Sequence, residues 1–104
     1  MIKVSLKYDG KLVDSVIISG HAFYDDYGKD IVCASVSSIV ITTINAILRI
    51  DSDSIDYLNN NGIKISVLSH NKVTDTLIEN MVCLLKDLQK QYKKNVTIEE
   101  VSRC

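Results

Sequence analysis

Cys33, His21 and Asp30 are residue types suited to thiol acyl-transfer chemistry, with the histidine twelve positions before the cysteine and the aspartate three before it. The thiolate is the nucleophile in such chemistry, and it is favoured at a helix start, where unpaired backbone N–H groups and the positive end of the dipole meet it. Asp30 is a residue type preferred as an N-cap, so a helix beginning just beyond it places Cys33 in the first turn. The same N–H groups suit the oxyanion of a tetrahedral intermediate. If the chain between them folds back, the His21 imidazole reaches Sγ and forms the Cys–His pair that activates a thiol. On spacing alone the question stays open, and a buried structural cysteine is the commoner outcome. Asp30 likewise has two readings, a helix cap or an orienter of His21, with the cap favoured.

These residues need elements to position them. Ile2, Val4, Leu6 and Tyr8 alternate with Lys3, Ser5 and Lys7, the period-2 pattern of a strand with one buried face. Asp9-Gly10 then reads as the two-residue loop of a type I′ hairpin, which pairs Leu6 with Val13 and Ile2 with Ile17. Gly20 to Val32 has two glycines, three aspartates and no sustained period, and reads as a loop joining base to nucleophile. Val36, Val40, Ile44 and Ile47 keep helical spacing over 33–50 despite weak helix formers. Asp51 to Asn61 reads as a polar connection, and Ile63, Ile65 and Val67 as a third strand. Val73, Leu77, Met81, Leu84, Leu85 and Leu88 mark a second, amphipathic helix, and Val96 and Ile98 a short last strand. The order strand-strand-helix-strand-helix-strand predicts an α+β fold, one domain over 1–104, with one sheet covered by two helices.

Composition narrows the function. With 104 residues, 46% hydrophobic and 24% charged, the chain suits one globular core. A formal charge of -1 lacks the basic stripe of a nucleic-acid binder; the lysines at 86, 90, 93 and 94 read as a solvated helix face. No leader pattern is visible, and no apolar stretch is expected to approach the roughly 20 residues of a membrane span. Three cysteines, at 33, 83 and 104, suit neither a disulfide framework nor a zinc site, so a cytoplasmic protein with free thiols is expected, without metal or cofactor.

The run Gly20-His21-Ala22, followed by Gly28-Lys29-Asp30-Ile31-Val32-Cys33-Ala34-Ser35-Val36-Ser37, resembles the signature of the ribosomal-processing cysteine protease family, Prp. That pattern reads Gly-His-Ala, a variable loop, then Gly-x-Asp-Ile-Val-Cys-Ala-x-x-Ser, and every position matches. Thr42 and Asn45 also resemble the family's next helical turns. The resemblance implies an endopeptidase that removes a short N-terminal extension from large-subunit ribosomal protein twenty-seven and acts as a homodimer. It carries the nucleophile onto Cys33, the histidine onto His21, the aspartate onto Asp30 and the helix serine onto Ser37. In the family the loop between histidine and cysteine orders around substrate, which makes Gly20 and Gly28 its expected hinges.

Blander readings stand beside these. Ser37 packs locally as readily as it touches substrate, and Phe23, Tyr24 and Tyr27 pack locally as readily as they line a groove. His70 is expected on the surface, Cys83 in or beside the buried stripe of the second helix, and Cys104 at a frayed end. The rival function is a non-catalytic ribosome- or assembly-associated peptide-binding module, for which Cys33 is incidental. Redox chemistry lacks a Cys-x-x-Cys motif, and a cysteine phosphatase lacks an arginine between residues 34 and 48.

Overall fold

The computed structural model describes residues 1–20 and 30–103. Strands β1 (Ile2–Asp9) and β2 (Leu12–Ser19) form a hairpin, followed by helix α1 (Ile31–Ile50). Strands β3 (Ile55–Asn59) and β4 (Ile63–Val67), helix α2 (Lys72–Gln91) and strand β5 (Val96–Arg103) complete the chain. The sheet runs β3-β4-β2-β1-β5, antiparallel except where β5 lies parallel to β1 at the edge. Period-2 alternation turns Ile2, Val4, Leu6, Val16, Ile18, Ile65 and Val96 to one face, where they meet both helices in a single core. The α+β architecture with one sheet under two helices is therefore the one expected.

The sheet also contains one strand more than expected. Residues 55–59, read as part of a polar connection, pair antiparallel with β4 as the edge strand β3. Only Ile55 of its five residues is buried, so this strand has no apolar alternation to betray it. β5 likewise runs to Arg103 rather than stopping near Ile98, because it pairs with β1 as far as Asp9, and Glu100 on the helix-covered face meets Lys86 of α2 at 2.6 Å.

The hairpin register differs from the expected one. The turn residues are Gly10 and Lys11, with positive φ at Gly10 alone, the sign pattern of a II′ rather than a I′ turn. Tyr8 pairs with Val13, but Lys7 pairs with Ser15, so Asp14 is a bulge that shifts the ladder by one. Leu6 therefore faces Val16, and Ile17 sits opposite Ser5 on the outer face. The bulge restores burial after the turn, since without it every later side chain of β2 would point to the wrong side.

Helix α1 buries Val32, Val36, Val40, Thr43, Ile44 and Ile47. Contrary to expectation, it is long and apolar enough to cross a membrane by length and composition, because its outward face carries Ser, Thr and Asn where a surface helix usually carries charge. Its buried stripe is spent on the sheet and α2. In α2 the buried residues are Thr74, Ile78, Met81, Val82 and Leu85, which turns the stripe away from Val73 and Leu84, both exposed.

Candidate active site

The sequence at the start of α1 builds a tight local structure. Asp30 has extended backbone angles, and its carboxylate oxygen Oδ1 accepts from the amides of Val32 at 2.9 Å and Cys33 at 3.0 Å. Its carbonyl accepts from Ala34 N–H at 3.1 Å. Asp30 is thus the N-cap, and Cys33 stands in the first turn, where the helix dipole is most positive. The helix begins at Ile31, directly after its cap and two residues ahead of the 33–50 range in which helical spacing was read. Cys33 is half-buried, packed at the margin of the core.

The amides of Val32 and Cys33, in the first turn that suits an oxyanion, both donate to the Asp30 carboxylate, as the expected role of N-cap requires, and Ala34 N–H makes the first helical bond to the Asp30 carbonyl. An aspartate able to cap a helix competes for the same donors that an oxyanion would use, and in this state it has them.

Ser37 lies one turn after Cys33 and is exposed, with no hydrogen-bond partner among the described residues. It contrasts with Ser35, whose hydroxyl is tied to the Ile31 carbonyl at 2.7 Å. Ser37 therefore stands open to solvent beside the thiol turn. Gly20, at the end of β2, has φ +85, and a Cβ there would lie 2.3 Å from the Met1 carbonyl oxygen, so only glycine fits. His21, Gly28, Phe23, Tyr24, Tyr27 and Cys104 lie outside the described residues.

The remaining titratable groups fall elsewhere. His70, on the surface as expected, places Nδ1 2.7 Å from Asp75 and Nε2 3.4 Å from the bulged Asp14. The hydrogen bond to Asp75, aided by Asp14, raises the pKa of His70 above its ordinary value. Burial and the Glu100 carboxylate raise the phenol pKa of Tyr8. Cys83 is exposed, not in the buried stripe, because α2 turns Met81 and Val82 inward instead. No group of metal-ligating side chains forms among the described residues.

A family profile described as cysteine protease Prp matches residues 1–97. The ribosomal processing cysteine protease Prp of Staphylococcus aureus (strain Mu50) is 31% identical over 102 residues, which cover 93% of this chain and 94% of that protein. The fold is similar to the crystal structure of an essential ribosomal processing protease Prp from S. aureus in complex with a covalently linked product peptide. That similarity has a TM-score of 0.90 at 28% identity, covering 97% of this chain and 100% of the other. A second structure of the S. aureus protease, in complex with a substrate peptide, matches with a TM-score of 0.85 at 26% identity over the same shares of both chains. The fold is thus that of a cysteine protease. The chain belongs to the Prp family of ribosomal processing cysteine proteases.

Proposed function

We propose that the chain is a cytoplasmic endopeptidase that removes the N-terminal extension of large-subunit ribosomal protein twenty-seven, acting as a homodimer with Cys33 as nucleophile and His21 as base. The observation that carries this reading is the Asp30-capped start of α1, which holds the half-buried Cys33 within the run that resembles the family signature. The S. aureus relative in complex with a covalently linked product peptide supports covalent peptide chemistry in the family.

In this mechanism His21 removes the thiol proton and Cys33 Sγ attacks the scissile carbonyl carbon, forming a C–S bond. The tetrahedral intermediate collapses as the C–N bond breaks, and His21 returns the proton to the leaving amine. Water deprotonated by His21 then attacks the thioester, releasing the carboxylate and regenerating the thiol. The amides of Val32 and Cys33 stabilise the oxyanion only if the Asp30 carboxylate withdraws from them.

The test is a mass spectrum of the ribosomal precursor after incubation with the wild-type chain, Cys33→Ala, Cys33→Ser and His21→Ala. Cleavage by the wild type and none by Cys33→Ala is expected, with His21→Ala slowed by roughly 10² to 10⁴. Near-normal cleavage by folded Cys33→Ser overturns the mechanism, and an uncut precursor with the wild type overturns the substrate.

A further inference from the structure

The face of the sheet turned away from the helices carries a polar cluster that the proteolytic site does not use. Strand register sets Lys7, Ser15 and Ser66 in one row across β1, β2 and β4, with Ile17 and Lys64 side by side in the next row. The Asp14 bulge falls at this row, and a bulge bends its strand and sharpens the local twist. Short serines form the floor and long lysines the walls. The result is a concavity of about 440 Å³ lined by Lys7, Lys64, Ser15 and Ser66, by the carboxylate residue Asp14, and by the apolar Ile17, Val67 and Val101. Among the described residues, neither lysine has an ion-pair partner and neither serine hydroxyl has a hydrogen-bond partner.

We propose that this concavity binds a phosphate group, carried by a small phosphate monoester. Two ammonium groups and two hydroxyls offer more donors than the two oxygens of a carboxylate can use. A phosphate presents three strong acceptor oxygens and a charge of about -1.5 to -2, and lysine binds it as a point charge. The volume falls in the range of roughly 300–1,000 Å³ of small-molecule sites, far more than inorganic phosphate fills. Ile17 and Val101 supply the apolar wall against which the remainder of an ester rests.

The opposing charges are few. Asp14 is part of the lining but is engaged by His70 Nε2 at 3.4 Å. Glu99 is paired with Lys3 at 3.3 Å, and the exposed Asp56 lies beyond Ser66 in the same row. Two open lysines suit a single phosphate and fall short of the many cations with which proteins track a nucleic-acid backbone.

The experiment is a titration of the isotopically labelled chain with sodium phosphate and with adenosine monophosphate, at constant ionic strength, read by amide chemical shifts. Saturable shifts confined to Lys7, Ser15, Lys64 and Ser66 are expected, with binding weakened about tenfold or more in Lys64→Met. Both lysines are exposed, so their replacement leaves the core intact. Ser66→Val, which keeps both lysines and fills the floor, should weaken binding as well. Tighter binding of adenosine monophosphate identifies an ester as the ligand. Equal binding of the two identifies free phosphate and overturns the assignment to an ester. Shifts that do not saturate, or that persist in a Lys7→Met, Lys64→Met double variant, overturn the site itself.

Discussion

Replacing Asp30 separates its two possible roles. One carboxylate oxygen accepts from two amides, Val32 at 2.9 Å and Cys33 at 3.0 Å, at the start of a 20-residue helix that contributes six buried residues to the fold. Loss of an N-cap side chain costs about 1 kcal/mol, within a range of roughly 0.5–2. The charge itself contributes about 0.3–1 kcal/mol through the helix dipole. Asp30→Ala should therefore destabilise the chain by about 1–2 kcal/mol. Asp30→Asn, which keeps an acceptor and loses the charge, should cost about 0.3–1 kcal/mol. With roughly 4–8 °C per kcal/mol for a domain of this size, Asp30→Ala should lower Tm by about 4–16 °C. Circular dichroism at 222 nm during heating and urea unfolding measure both variants. If Asp30→Ala leaves Tm unchanged, the capping argument is refuted. Peptide cleavage distinguishes the roles further: a pure cap predicts that Asp30→Asn keeps kcat once folded, whereas an orienter of His21 predicts a fall in kcat with KM little changed.

Three further outcomes follow from single contacts. The pKa of His70 is raised by Asp75 and Asp14, so its contribution to stability is fully present below its unfolded value of 6.5 and is lost as pH rises through the folded value. Because the cluster is exposed, the difference between wild type and His70→Ala should be below about 1 kcal/mol. It should be larger in urea melts near pH 6 than near pH 9, and an equal difference at both would refute the pairing. Gly20→Ala should cost about 1–3 kcal/mol through its φ of +85 and the Met1 carbonyl, a loss visible in Tm. Cys83→Ala, at an exposed position, should change stability by less than about 0.5 kcal/mol, whereas a buried thiol would cost more in the same urea melt.

The sequence alone determines the local features of this protein. Asp30 followed by an apolar-periodic run is sufficient to place an N-cap, a helix start and Cys33 in the first turn, because capping depends on residues within three positions of one another. Alternation in β1 and β4 and the three- to four-residue period of α1 are legible for the same reason. The match of Gly20 to Ser37 with the Prp pattern is also local, and it is how the family shows in the chain. What only the tertiary structure decided depends on partners distant in sequence. Asp14 bulges because the turn at Gly10 and Lys11 would otherwise point β2 away from the core, a conflict visible only when both ends of the strand are placed. β3 exists because β4 offers it an edge, and its own exposed side chains carry no period. β5 extends past Ile98 because β1 pairs with it along its whole length and Lys86 holds Glu100. Which way α2 turns, and hence the exposure of Cys83, follows from packing against α1 and the sheet, since Val73 and Leu84 satisfy the same period as the residues that are buried.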